Sequence, residues 1–184
     1  KESDNPHTAV NFPFTQRGTY SVKVNDAPIG IFDSGFGGLT VARAVLDQPA
    51  VVGQARLTVL FFKVYDATLY APKGRYQADQ PYVLTLRYLR EFEGEKIAQR
   101  TVEEMRKQGF TNEAKLALWL RAMNTLFPDV GPGVELSAVR LASGATDIYQ
   151  GERRIGQVAD PEFGRQFFAI WLGEKTSEPA MRRQ

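Results

Sequence analysis

The feature that most constrains this chain is a change of hydrophobic period partway along it. Over residues 54–62 apolar and polar side chains alternate, with Leu57, Val59 and Phe61 on one face and Arg56, Thr58 and Leu60 on the other. Residues 63–70 continue extended, and Ala71-Pro72-Lys73-Gly74 reads as the closing turn. Tyr82, Leu84, Leu86 and Tyr88 again fall on one side of a strand over 81–89. The spacing then lengthens to that of helices. Ala98, Val102 and Met105 share a face, and Gly109 ends that segment. Thr111 reads as the N-cap of a second helix carrying Leu116, Trp119, Leu120, Met123, Leu126 and Phe127, stopped by Pro128. Short strands over 134–142, 145–150 and 154–158 follow, joined by Ser143-Gly144 and Gly151-Glu152. Asp160-Pro161 opens a last helix with cap and first-turn proline in order, its inner face Phe163, Phe167, Ile170 and Trp171. Strands, two helices, a meander and a helix define an α+β fold: an antiparallel sheet covered on one side by helices.

Residues 1–50 differ in character. Their first half is polar and broken by Pro6, Pro13 and Gly18, with one short alternating stretch over 19–24. Ile29-Gly30-Ile31-Phe32-Asp33-Ser34-Gly35-Phe36-Gly37-Gly38 then runs from an apolar strand through a glycine-rich turn into an amphipathic helix start, a form that can expose amides to an anion. The loop lacks a Walker lysine and dinucleotide-fingerprint spacing. A domain division at 50/51 is expected, with 1–50 an appendage and a chain starting near Val51 unfolding cooperatively at little loss of midpoint.

Chemistry is narrowed by what is missing. The 184 residues contain no cysteine, which removes disulfides, thiolate nucleophiles and thiolate-bound zinc. The single histidine, His7, lies in the polar start, so a catalytic triad or multi-histidine metal site has little material. Basic and acidic residues nearly balance, at a formal +2, and are interspersed; nucleic acid is a poor partner. No apolar run is long enough to span a bilayer, and Lys1-Glu2-Ser3-Asp4-Asn5 does not read as a signal peptide. No cofactor is expected, and oligomeric state is not legible.

Two resemblances stand out. The segment 27–48, with Asp33-Ser34 and Gly35-Phe36-Gly37-Gly38, resembles the opening of glutamate racemases, where the Asp-Ser pair lies beside the bound amino acid. Those enzymes move a proton with two thiols, which this chain lacks. A fusion or recombination scar is therefore the expected origin. Residues 51–184 resemble the bacterial branch of the chalcone isomerase-like family. The likeness rests on Gly53-Gln54-Ala55-Arg56-Leu57-Thr58-Val59-Leu60-Phe61-Phe62-Lys63-Val64-Tyr65-Asp66-Ala67-Thr68-Leu69-Tyr70, on the helix over 100–111, and on Phe168-Ala169-Ile170-Trp171-Leu172-Gly173 with Ser177-Glu178-Pro179. The resemblance implies an open-faced β-sandwich, a curved sheet and helical layer enclosing an apolar cleft, and a periplasmic or exported location.

Plant enzymes of that family polarise a phenoxide-enone pair with an arginine, two threonines, a tyrosine and an asparagine. Arg56 stands for the arginine only with an offset. The other positions fall on Tyr65, near Glu93, on Arg100 and on Ile170, so most of the hydrogen-bonding set is lost. The expectation is a non-catalytic protein sheltering a small amphipathic carboxylate, fatty-acid-like or aromatic, between sheet and helices. Arg56 would anchor the carboxylate, with Lys63, Tyr65 and Tyr70 lining the cleft and Trp119, Phe167 and Trp171 forming an apolar wall. The alternative is an isomerase or intramolecular lyase acting on an enone-like substrate, with Arg56 and Tyr65 or Tyr70 polarising it.

Overall fold

The computed structural model describes residues 36–174. Asp33, Ser34, His7 and the short alternating stretch over 19–24 lie outside them. The described elements are α1 (Phe36–Val45), β1 (Pro49–Val59), β2 (Phe62–Pro72), β3 (Tyr82–Tyr88), α2 (Gly94–Lys107), α3 (Glu113–Leu126), β4 (Glu135–Arg140), β5 (Thr146–Gln150), β6 (Arg153–Val158) and α4 (Pro161–Leu172). Six strands form one antiparallel sheet in sequence order, β1 to β6. Every connection except the helical excursion between β3 and β4 therefore joins sheet neighbours directly, by short turns or, between β2 and β3, by the loop over 73–81.

Helices α2, α3 and α4 cover one face. From the sheet, Ala67, Leu69, Ala71, Tyr82, Leu84, Leu86, Tyr88, Leu136, Ala138 and Ile148 meet Ala98, Val102, Met105, Leu116, Trp119, Met123, Phe163, Phe167 and Ile170. Period-2 residues from strands and period-3.6 residues from helices thus meet in one core, as the sequence pattern requires. The last helix is capped as expected: Asp160 accepts from the Glu162 amide, with Pro161 at its first position. The cap of α3 is Asn112, whose Oδ1 accepts from the Lys115 amide, and not Thr111 one residue earlier. Glu93 at the start of α2 makes no side-chain cap bond. Asp129 supplies that bond from across the fold, accepting from the Gly94 amide at 2.8 Å.

The other face was expected to be open, and part of it is covered. Helix α1, from the racemase-like segment, buries Val41 and Ala42 against Tyr70, Val83 and Val139, and Leu46 just after the helix joins them. Gly37 and Gly38, expected in a turn, lie in its first helical turn. Gly38 sits so close to Thr85 that a Cβ there would come within 2.5 Å of the hydroxyl oxygen. Its amide donates to Oε2 of Glu135 at 2.9 Å. The expected boundary at 50/51 falls inside β1, and α1 before it packs on the same sheet as the rest.

The extended run over 54–70 is two strands. It folds back at Leu60 and Phe61, the two loop residues between the pair Val59 and Phe62. Both adopt left-handed backbone, φ 45° and 72°. Two such residues form the turn type that matches strand twist, usually filled by Asn-Gly. Phe61, expected on the same strand face as Leu57 and Val59, is instead a turn residue and 99% exposed.

Candidate functional site

The strand register decides which proposed site residues can meet. Arg56 pairs with Asp66, Asp66 with Arg87, and Arg87 with Glu135, which makes one charged row across the sheet. The next row on this face runs Gln54, Thr68, Thr85, Ser137, Tyr149, and contains a 2.8 Å hydroxyl pair between Thr85 and Ser137. Beyond it lie Tyr70, Val83 and Val139, under α1. Arg56 therefore belongs to the face turned away from α2–α4. Its guanidinium holds Asp66 through Nε and through a second nitrogen at 2.8 Å, and the hydrogen bond to Asp66 raises its pKa further above the ordinary arginine value.

On the helical side, rings line up through the layer. Phe110 stacks on Trp119, Trp119 meets Phe163 edge-on, Phe163 stacks on Phe167, and Phe167 packs against Trp171 at 5.2 Å. The Trp171 indole N–H donates to the Tyr65 hydroxyl at 3.0 Å, and Tyr65 contacts Tyr88 edge-on. Burial alone pushes the Tyr88 hydroxyl well above the usual phenol range, so it stays neutral.

Of the seven residues the sequence singled out, Tyr65, Trp119, Phe167 and Trp171 thus share this aromatic layer. Arg56 and Tyr70 lie on the opposite face, Tyr70 buried beneath α1. Lys63 is exposed beside the β1–β2 turn. The sheet separates Arg56 from the wall its ligand was expected to touch.

The sequence reading missed a groove at the edge of the helical layer. It has a volume of about 370 Å³ and lies between the end of α3 and the β5–β6 hairpin, lined by Thr125, Leu126, Phe127, Pro128, Gln150, Arg153, Arg154 and Ile155. Leu126 packs over the bare backbone of Gly156, where a Cβ would come within 2.2 Å of its methyl group. That contact brings the end of α3 down onto β6. Arg153 pairs with Gln150, which pairs with Leu136 of the helix-side core, so its row faces the groove. Arg154 is committed to Asp147 at 2.8 Å. Burial works to raise the Asp147 carboxyl, but the Arg154 and Gln157 hydrogen bonds outweigh it and hold the pKa below the usual range. Among the described residues Arg153 has no ion pair. Apolar side chains beside a guanidinium that has no ion partner among the described residues are the chemistry an amphipathic anion needs. No pattern in the sequence pointed here, because the lining comes from two segments more than twenty residues apart.

Sheet order, helical layer and the filled core between them define an α+β open-faced sandwich. The chalcone isomerase-like family profile matches residues 52–184, and the chain belongs to that family. An uncharacterized protein of Haemophilus influenzae is 26% identical over 127 residues, 68% of this chain and 62% of that protein. The chain thus spans under two thirds of that relative's length. A fatty-acid binding protein of Arabidopsis thaliana has a similar structure, with a TM-score of 0.58 at 12% identity over 74% of this chain and 86% of that one. At that identity the likeness is one of fold. The N-terminal segment is 88% identical over 25 residues to the glutamate racemase of Beutenbergia cavernae, covering 14% of this chain and 9% of the enzyme.

Proposed function

We propose that this chain is a non-catalytic binding domain for a small amphipathic carboxylate, fatty-acid-like or aromatic. The observation that carries the reading is the groove beside α3, where Leu126, Phe127 and Ile155 offer apolar surface and Arg153 a cation with no ion partner among the described residues. The groove is open to solvent, with a volume of about 370 Å³ and four apolar residues, Leu126, Phe127, Pro128 and Ile155, among its lining. Family membership and the fatty-acid binding fold neighbour support a binding role. A carboxylate on Arg153 would gain a charge-assisted pair without displacing an internal one. On Arg56 it would have to displace Asp66. The isomerase alternative needs Arg56 and Tyr65 or Tyr70 around one reacting centre. Arg56 and Tyr65 lie on opposite faces, and Tyr70 is packed under α1. Mass spectrometry of organic extracts from freshly purified protein tests the reading. The expected result is a stoichiometric carboxylic acid with an alkyl or aromatic tail, and a neutral or cationic ligand would contradict it.

We propose the 50/51 division only as the edge of the family-matched region, which begins at residue 52, since α1 and the first residues of β1 pack with the same sheet; an exported location stands as a further proposal.

A further inference from the structure

Phe61 and Leu60, in the β1–β2 turn, are the two most exposed large apolar side chains among the described residues, at 99% and 69%, and Phe62 beside them is 45% exposed. Leu60 and Phe61 occupy the two left-handed positions of the turn, where side chains with a Cβ are disfavoured and Asn-Gly is the unstrained choice. The turn therefore gives up both stability and solubility to hold two large apolar residues at its tip.

Its placement makes it a projecting finger. β1 and β2 are 11 residues each and pair along their length. The β2–β3 ladder ends at Tyr65 and Tyr88, so Phe62, Lys63 and the tip run past the sheet's third strand. Cations border the apolar tip. Lys63 follows Phe62 directly and is exposed, and the Arg90 guanidinium lies 4.4 Å from the centre of the Phe62 ring. No acidic residue occurs from Leu57 to Tyr65; Glu91, next to Arg90, is exposed.

We propose that this tip is a lipid-surface contact. Leu60, Phe61 and Phe62 enter the interfacial region of a bilayer, and Lys63 and Arg90 meet anionic headgroups at its edge. Apolar side chains ringed by cations that keep their charges at headgroup depth are the arrangement such an interface rewards. A narrow convex tip of three side chains falls well short of the roughly 1,000 Å² of buried surface a specific protein interface needs. A fluid bilayer requires no complementary shape. The inference goes beyond the ligand-binding reading and does not depend on the groove.

Co-sedimentation of the full chain with phosphatidylcholine vesicles, with and without a third of phosphatidylglycerol, tests it. The wild-type protein should pellet with the anionic vesicles and at least fivefold less with the neutral ones. Leu60→Asn/Phe61→Gly, which installs the unstrained turn, should lower vesicle binding about tenfold or more while raising the thermal midpoint. That rise separates lost binding from lost folding. Lys63→Glu should reduce binding to the anionic vesicles alone. Failure of the wild type to bind either vesicle, or equal binding by Leu60→Asn/Phe61→Gly, would overturn the proposal. So would self-association of the wild type in place of vesicle binding, lost in that double variant, since the tip would then serve a second copy.

Discussion

Arg56 and Asp66 close a two-point ion pair across β1 and β2, on the sheet face turned away from the aromatic layer. Both side chains are about 30% exposed, with relative accessibilities of 32% and 28%. A pair so placed contributes modestly, at roughly 0.5–1 kcal/mol. Arg56→Ala should therefore lower the unfolding free energy by about that much, read from urea midpoints, and leave carboxylate affinity within twofold of wild type. A tenfold loss of affinity would return the anchor to Arg56.

Helix α1 closes its contact with the sheet through Gly38, which leaves no room for a methyl group against Thr85. Gly38→Ala forces either the helix or that buried threonine to shift, at about 1–3 kcal/mol. A chain beginning at Val51 loses the cover over Tyr70, Val83 and Val139. It should still unfold cooperatively, on the core beneath α2–α4, but at a lower midpoint than the sequence alone suggested. Thermal melts of both variants check this, and an unchanged midpoint for both would mean that α1 adds nothing to the fold.

Burial pushes the Glu135 carboxyl above its ordinary 4.5, against the smaller opposing pulls of the Gly38 amide and Arg87. The folded state therefore binds this proton more tightly than the unfolded chain. The contribution is most favourable below 4.5 and is lost as pH rises through the folded value. Glu135→Gln removes the titration. On acidification through that window the wild type should gain stability relative to the variant. Asp147 has the opposite sign: its contribution is present above 3.8 and falls away as pH drops through its depressed folded value. Urea unfolding of wild type and Glu135→Gln from pH 3 to 7 checks the first, and parallel curves would contradict it.

Chalcone cyclisation should be absent. Arg100, at one of the plant enzymes' polar positions, is tied to Glu103 and Glu104 on α2, and Ile170, at another, is buried in the core. Following chalcone absorbance with purified protein should give no rate above the uncatalysed one. Saturable, enantioselective turnover would contradict this.

Strong periodicity made most of the fold legible. Tyr82, Leu84, Leu86 and Tyr88 on one strand face, Ala98, Val102 and Met105 on one helix face, and the Asp160-Pro161 cap all lie where their spacing put them. The turn at Leu60 and Phe61 was hidden because it contains no glycine, asparagine or proline, and alternation runs on through it. The docking of α1 was hidden for a different reason. Tyr70, Val83 and Val139 are apolar on the second face of central strands, and a strand covered on both sides loses the alternation that would reveal its partner. Candidate site residues fared according to face. Helical spacing put Trp119 on the inner face of one helix and Phe167 and Trp171 on that of another, and Tyr65 joins them through the Trp171 hydrogen bond. Arg56 was correctly put opposite Leu57, but the sequence did not show that this face looks away from the helices or that Asp66 stands beside it.

Arg153, beside Leu126, Phe127 and Ile155, is the proposed holder of the carboxylate of an amphipathic ligand. Charge-assisted pairing to a carboxylate contributes roughly 1.5–3 kcal/mol, or about tenfold or more in affinity. The most direct measurement is an equilibrium titration of a fluorescent fatty acid against wild type, Arg153→Ala, Arg153→Lys and Arg56→Ala. Arg153→Ala should bind at least tenfold more weakly, Arg153→Lys should recover part of the loss because one ammonium does not reproduce the guanidinium fork, and Arg56→Ala should keep near wild-type affinity. Equal affinity across all four proteins, or no saturable binding by the wild type, would contradict that role for Arg153.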